Sequence, residues 1–79
     1  MAKFPIDAPQ ERVPRTFEQS GFELVRRGNH LALSREEADG TRTPLTLPGH
    51  RTIKSSTLRQ ALTQSGIARE DFLRAYEST

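Results

Sequence analysis

The chain carries two histidines, and each stands beside fixed positive charge. His30 follows Arg26-Arg27-Gly28-Asn29, a basic strand end running into turn residues. His50 precedes Arg51, with Lys54, Ser55 and Ser56 a few positions on. An imidazole titrates near neutrality, so it can take or give a proton at physiological pH. Guanidinium and ammonium groups hold phosphate oxygens and stabilise charge that develops on them. RNA brings its own nucleophile, the 2′-hydroxyl. Its cleavage needs a base for that proton, an acid for the leaving oxygen, and positive charge at the phosphate. His30 is the candidate base or acid. Arg26, Arg27 and Lys54 are candidate phosphate contacts. Ser55 and Ser56 stand where a helix start offers backbone donors to a phosphate. Asn29, His50 and Arg51 complete the candidate RNA contacts, and His50 could also supply a second proton-transfer group.

Each of these residues has a plainer reading. A histidine that begins a strand is commonly a surface residue. Arg26 and Arg27 could simply solvate a strand end, and Lys54 with the serines could do no more than open a helix. Phe17, Phe22, Phe72 and Tyr76 read as core and not as platforms for stacked bases.

Composition narrows the classes. Cysteine is absent, which removes disulfides and thiolate metal sites. Two histidines separated by a strand pair, with no carboxylate cluster, make a poor zinc or magnesium site, so no metal and no other cofactor is expected. There is no serine–histidine–acid set, no glycine-rich phosphate loop and no dinucleotide fingerprint. No apolar run approaches a membrane helix, and Met1–Asp7 has no hydrophobic signal core. The reading is therefore a cytoplasmic protein with no membrane partner. Net charge is only +2, but between Asp39 and Glu70 there is no acid, while Arg42, Arg51, Lys54, Arg59 and Arg69 all fall there. A one-signed stretch favours an anionic partner, most simply nucleic acid.

The 79 residues predict a single domain, 1–79, with its core at about 8–67 and a short C-terminal helix at about 69–77. A chain this short buries only about 60% of its unfolded surface, so a large enclosed cavity is not expected. A first helix is predicted over 8–20, capped by Asp7 with Gln10 as the reciprocal partner, kinked or restarted near Pro14, and ended by Ser20-Gly21. Phe22–Arg27, His30–Glu36 and Arg42–Leu47 read as strands, with turns at Gly28-Asn29 and at Asp39-Gly40. Leu31 opposite Leu47 and Leu33 opposite Leu45 keeps four leucines on one face, whereas a slip of one residue would expose half of them. That register sets His30 across from Pro48 and brings the two histidines toward one end of the sheet. Pro44 then belongs on an edge or at a bulge. Thr57–Ser65, capped by Ser55 or Ser56 and closed by Gly66, buries Leu58, Ala61 and Leu62. The layout is α+β: α-β-β-β-α plus the terminal helix, with a three-stranded antiparallel sheet covered by helices on its leucine face.

In this order and spacing, Gly21-Phe22, Gly28-x-His30, Pro48 with His50, Lys54-x-x-Thr57-Leu58 and Gly66-Ile67 resemble the HicA toxin family of bacterial toxin–antitoxin systems. The resemblance spans about residues 8–67. It implies a fold like a double-stranded-RNA-binding domain and an mRNA interferase, that is, an endoribonuclease acting without a metal. It implies a HicB-like antitoxin that covers the active site, and it places the catalytic histidine at His30. The sequence departs from the family pattern at Asn29 and Leu31, where serine and a second histidine are common, and at Pro14. Two other functions compete. One is an RNA-binding module of the same fold that does not cut. The other is a DNA-binding helix-turn-helix at Thr57–Glu77, which ranks lower because Glu70, Asp71 and Glu77 would repel phosphate.

Overall fold

The protein is described from a computed structural model covering residues 4–79. In chain order it forms β1 (Asp7–Pro9), α1 (Arg12–Glu18), β2 (Glu23–Arg27), β3 (His30–Glu36), β4 (Arg42–Pro48), β5 (Thr52–Lys54), α2 (Ser55–Ser65) and α3 (Arg69–Glu77). Strands β2, β3 and β4 make an antiparallel meander, and β1 pairs with β5 in a separate two-stranded ribbon. This is the α+β layout expected from the sequence, with the ribbon as an addition.

The leucine register is the expected one. Leu31 faces Leu47, Leu33 faces Leu45, and all four are buried. They share one core with Val13 and Phe17 of α1 and with Leu58, Ala61 and Leu62 of α2. Both helices therefore cover the same face of the sheet. Pro44 sits opposite Ser34 in β4, an edge strand, and the β3–β4 register passes it without a shift. An edge position can lack a backbone donor at little cost.

The N-terminal segment departs from expectation. Asp7–Pro9 is a strand, not the start of a helix, so the Asp7/Gln10 capping box does not form. Ala8 pairs with Ile53 and both are fully buried, while the Gln10 N–H donates to the Arg51 carbonyl at 2.9 Å. Burial against a partner more than forty residues away overrides the local cap signal. Because α1 begins at Arg12, Pro14 is its third residue. There its missing N–H has no intrahelical partner to lose, and no kink is required.

Beyond α1 the chain turns at Gly21, whose φ of +96° favours glycine. The hairpin between β3 and β4 is braced by two acids. Thr41 donates to Asp39 through its hydroxyl (2.6 Å) and its N–H (3.0 Å), which lowers the Asp39 carboxyl below its ordinary value. Hydrogen bonds from Thr43 (2.6 Å) and Arg35 (2.8 Å) do the same for Glu37. Arg35 also donates to the Ser65 carbonyl at 3.0 Å and lies 4.7 Å over the Phe22 ring. One side chain thus ties the hairpin to the end of α2. Gly66, at φ +76°, closes that helix.

Helix α3 has no side-chain cap at Ala68. It is fixed by Phe72, whose ring centroid lies 5.2 Å from Phe17, 5.9 Å from Tyr76 and 6.2 Å from Phe4. Arg12 adds a bond to the Tyr76 carbonyl at 2.6 Å and a stack on the Tyr76 ring at 3.8 Å. The core is thin, so single truncations are costly. Leu45→Ala is expected to lose about 2–5 kcal/mol of stability, because a side chain only 1% exposed leaves a cavity that a short strand cannot collapse into. Urea unfolding followed by circular dichroism checks this, and a loss below about 1 kcal/mol would contradict the packing described.

Candidate functional site

His30 is the first residue of β3, exposed, and directly across from Pro48. Period-two alternation then puts His30, Ala32 and Ser34 on the sheet face away from the helices. The strand beside it is irregular. Leu24 pairs with Leu33, but Arg26 pairs with Ala32, so Val25 is the extra residue of a β-bulge and is 64% exposed. The bulge reverses the alternation after it. Leu24 still faces the helices, Arg26 comes to the same face as His30, and Arg27, paired with Leu31, goes to the helix side.

The surface follows this division. Arg26, Gly28, Asn29, His30 and Ala32 line a dent of about 280 Å³. Arg27 lines a different one with Glu11, Pro14, Arg15, Glu18 and Leu24. Arg26 and Arg27, adjacent in sequence and equivalent as candidates, are therefore separated by the fold.

His50 lines a third dent, of about 420 Å³, with Pro48, Thr52, Lys54 and Thr57. It shares no lining residue with the His30 dent, but His30 of one and Pro48 of the other are paired across β3 and β4. Gly49 holds the two together. A Cβ built there would fall 2.9 Å from the Asn29 carbonyl carbon and closer still to its oxygen. Only a residue without a side chain lets the 48–50 segment lie against the 28–30 turn.

The remaining candidates are placed differently. Arg51 is exposed, and its carbonyl accepts the Gln10 N–H, which fixes the loop end to the start of the chain. Helix α2 starts two residues earlier than predicted. Lys54 is its N-cap, so Ser55 and Ser56 are its first residues and no side chain caps it. The Ser55 N–H donates to the Ile6 carbonyl at 2.9 Å, so that donor is already used. Neither serine lines the His30 or the His50 dent. Thr57 does, three positions after Lys54, and the sequence reading missed it as a site residue. That spacing was the available signal, since i and i+3 share a helix face. Among the described residues the ion pairs are Arg35–Glu37, Arg42–Glu36 and Arg74–Asp71, so Arg26, Arg51 and Lys54 keep their charge free. Among the same residues no three histidines or acids converge as a metal-binding group, and no helix is long and apolar enough to cross a membrane.

A three-stranded antiparallel sheet with helices on one face, and His30 with Arg26 on the other, gives a small α+β domain laid out like a double-stranded-RNA-binding domain. The family model for the HicA toxin of bacterial toxin–antitoxin systems matches residues 11–67. The chain belongs to the HicA toxin family, and so is a toxin with a cognate antitoxin. The match takes in α1 through the end of α2, and both histidine dents lie inside it. Comparison with curated proteins and with solved structures gives no match.

The close approach at Gly49 is directly testable. Gly49→Ala is expected to push the 28–30 turn off the 48–50 segment, shifting the amide resonances of Asn29 and His30 while the Leu31 and Leu33 amides stay near their wild-type positions. Unchanged resonances at Asn29 and His30 would show that the two segments are not in contact.

Proposed function

We propose that this protein is an endoribonuclease toxin, an mRNA interferase, that cleaves RNA without a metal and uses His30 as general acid or base. The observation that supports this best is the bulge at Val25, which puts Arg26 on the same exposed face as His30. A proton-transfer group and a phosphate-binding cation then share one dent at the rim of a sheet. The open shape suits a polymer substrate, which lies across a surface and does not enter a cavity. Nucleophile and electrophile both belong to the RNA, so the protein has to supply only proton transfer, charge and alignment. The site operates in the cytoplasm, and a HicB-like antitoxin silences it by covering this face.

The purified protein is expected to cleave mRNA in the presence of EDTA. His30→Ala is expected to slow cleavage by about 10²-fold or more while RNA binding and the circular dichroism spectrum are kept. Cleavage that stops with EDTA and returns with magnesium would remove metal independence. Undiminished cleavage by His30→Ala would remove the site. RNA binding without cleavage in the wild type would make the protein a binding module.

The two arginines separate a further expectation. Arg26→Ala should weaken RNA binding and reduce the slope of log K against log salt by about one, the signature of one lost phosphate contact. Arg27→Ala, on the helix side, should change that slope far less. Filter binding over a salt series measures both, and equal effects would mean that the bulge does not select between them.

A further inference from the structure

We propose that His50 is the second proton-transfer group of this site, the general acid that protonates the leaving 5′-oxygen while His30 takes the proton of the 2′-hydroxyl. The inference rests on the ribonuclease reading above and assigns its missing half.

The geometry is set by the backbone. His30 pairs with Pro48, and Gly49 is pressed against the Asn29 carbonyl, so the chain beyond β4 continues alongside the 28–30 turn in the same antiparallel sense. Paired residues lie about 4.5–5.5 Å apart, and each further residue adds about 3.3 Å at most. The Cα atoms of His30 and His50 are therefore separated by no more than roughly 12 Å. Two imidazoles turned toward each other across such a separation can flank a space the size of a phosphodiester. Both side chains are exposed, and each lines one of the two dents.

Each flank carries a cation, Arg26 beside His30 and Lys54 beside His50, and the His50 flank carries the greater positive charge. In the transition state the leaving oxygen gains negative charge as the P–O5′ bond breaks. His50 shares its dent with Lys54, and with Thr57 in the first turn of α2, where backbone N–H groups give the helix its positive end. Arg51 is the next residue in the chain, and Arg26 and His30 stand beyond the Pro48 pair. Among the described residues no carboxylate lines either dent. The His50 flank is thus suited to the oxygen that leaves, and the His30 flank to the hydroxyl that attacks.

The step balances without another reactant. Neutral His30 removes the 2′-hydroxyl proton, and the 2′-oxygen forms a bond to phosphorus. The P–O5′ bond breaks, and protonated His50 gives its proton to the 5′-oxygen. The products are a 2′,3′-cyclic phosphate end and a 5′-hydroxyl end.

The test uses the full chain, an RNA oligonucleotide cut by the wild type, and the same oligonucleotide with sulfur in place of the bridging 5′-oxygen at the mapped cut. A thiolate leaves without being protonated. His50→Gln keeps a hydrogen-bonding side chain but cannot transfer the proton. It is expected to slow the oxygen substrate by about 10²-fold and to restore most of that loss on the sulfur substrate. His30→Ala should stay slow on both. The wild-type pH–rate profile should be bell-shaped, and His50→Gln should lose its alkaline descent, because that limb reports the acid losing its proton. Equal slowing of His50→Gln on both substrates, or rescue of His30→Ala by sulfur, would overturn the assignment while leaving the ribonuclease reading intact. A wild type that binds RNA and never cuts it would overturn both.

Discussion

The four-leucine register across β3 and β4 is the constraint on which the rest of the molecule depends. Leu31 against Leu47 and Leu33 against Leu45 supply the inner face of the sheet, and that face joins α1 and α2 in one core. Because side chains alternate with a period of two, burying these leucines obliges the residues between them to face out. His30 and Pro48 are the pair that follows at the open end of the ladder. The position of a candidate catalytic group is thus a by-product of core packing. It cannot move to the other face without turning the leucines into water.

Two local departures from regularity then shape that end of the sheet. The bulge at Val25 restarts the alternation in β2, so that Arg26 and not Arg27 joins His30. Without it, regular alternation would send Arg26 toward the helices along with Leu24. Gly49 acts on the other side, where the absence of a Cβ lets one turn rest on another. Neither departure adds much to stability. Each costs regular backbone pairing or conformational freedom, and each acts beside a histidine dent.

Much of this was legible in the sequence, and what was not has physical reasons. The strands, their register and the outward direction of His30 follow from alternation and from four leucines that must be buried together. The closure of α2 follows from Gly66 and Ile67. The first strand did not show itself, because Asp7-Ala8-Pro9 carries a strong local helix-start signal and no alternation. What decides it is the burial of Ala8 beside Ile53, a contact that no window around residue 8 contains. The same misplacement made Pro14 look disruptive, when a helix starting at Arg12 leaves it in the first turn. Glu23-Leu24-Val25-Arg26-Arg27 gives no sign of a bulge, since either arginine continues an acceptable strand. Ser55 and Ser56 look like caps, but β5 runs straight into α2 and Lys54 takes the cap position.

The candidate site differs from the rest of the molecule in how it is ordered. Elsewhere, side chains hold one another. Arg35 is fixed by Glu37, Ser65 and the Phe22 ring, and Phe72 by three aromatic neighbours. At the two dents the backbone is fixed by register, bulge and turn, while among the described residues Arg26, Arg51 and Lys54 have no carboxylate to hold them. A small domain has too little interior to build a second layer of support beneath an exposed face. Unpaired cations on a firm backbone are also what an anionic polymer can organise, because each phosphate supplies the counter-charge the protein lacks. A partner of that kind lying across them would complete the alignment of the charged side chains. An antitoxin bearing carboxylates on its contact surface would meet the same unsatisfied charges, so substrate and antitoxin would compete for one surface by the same electrostatics.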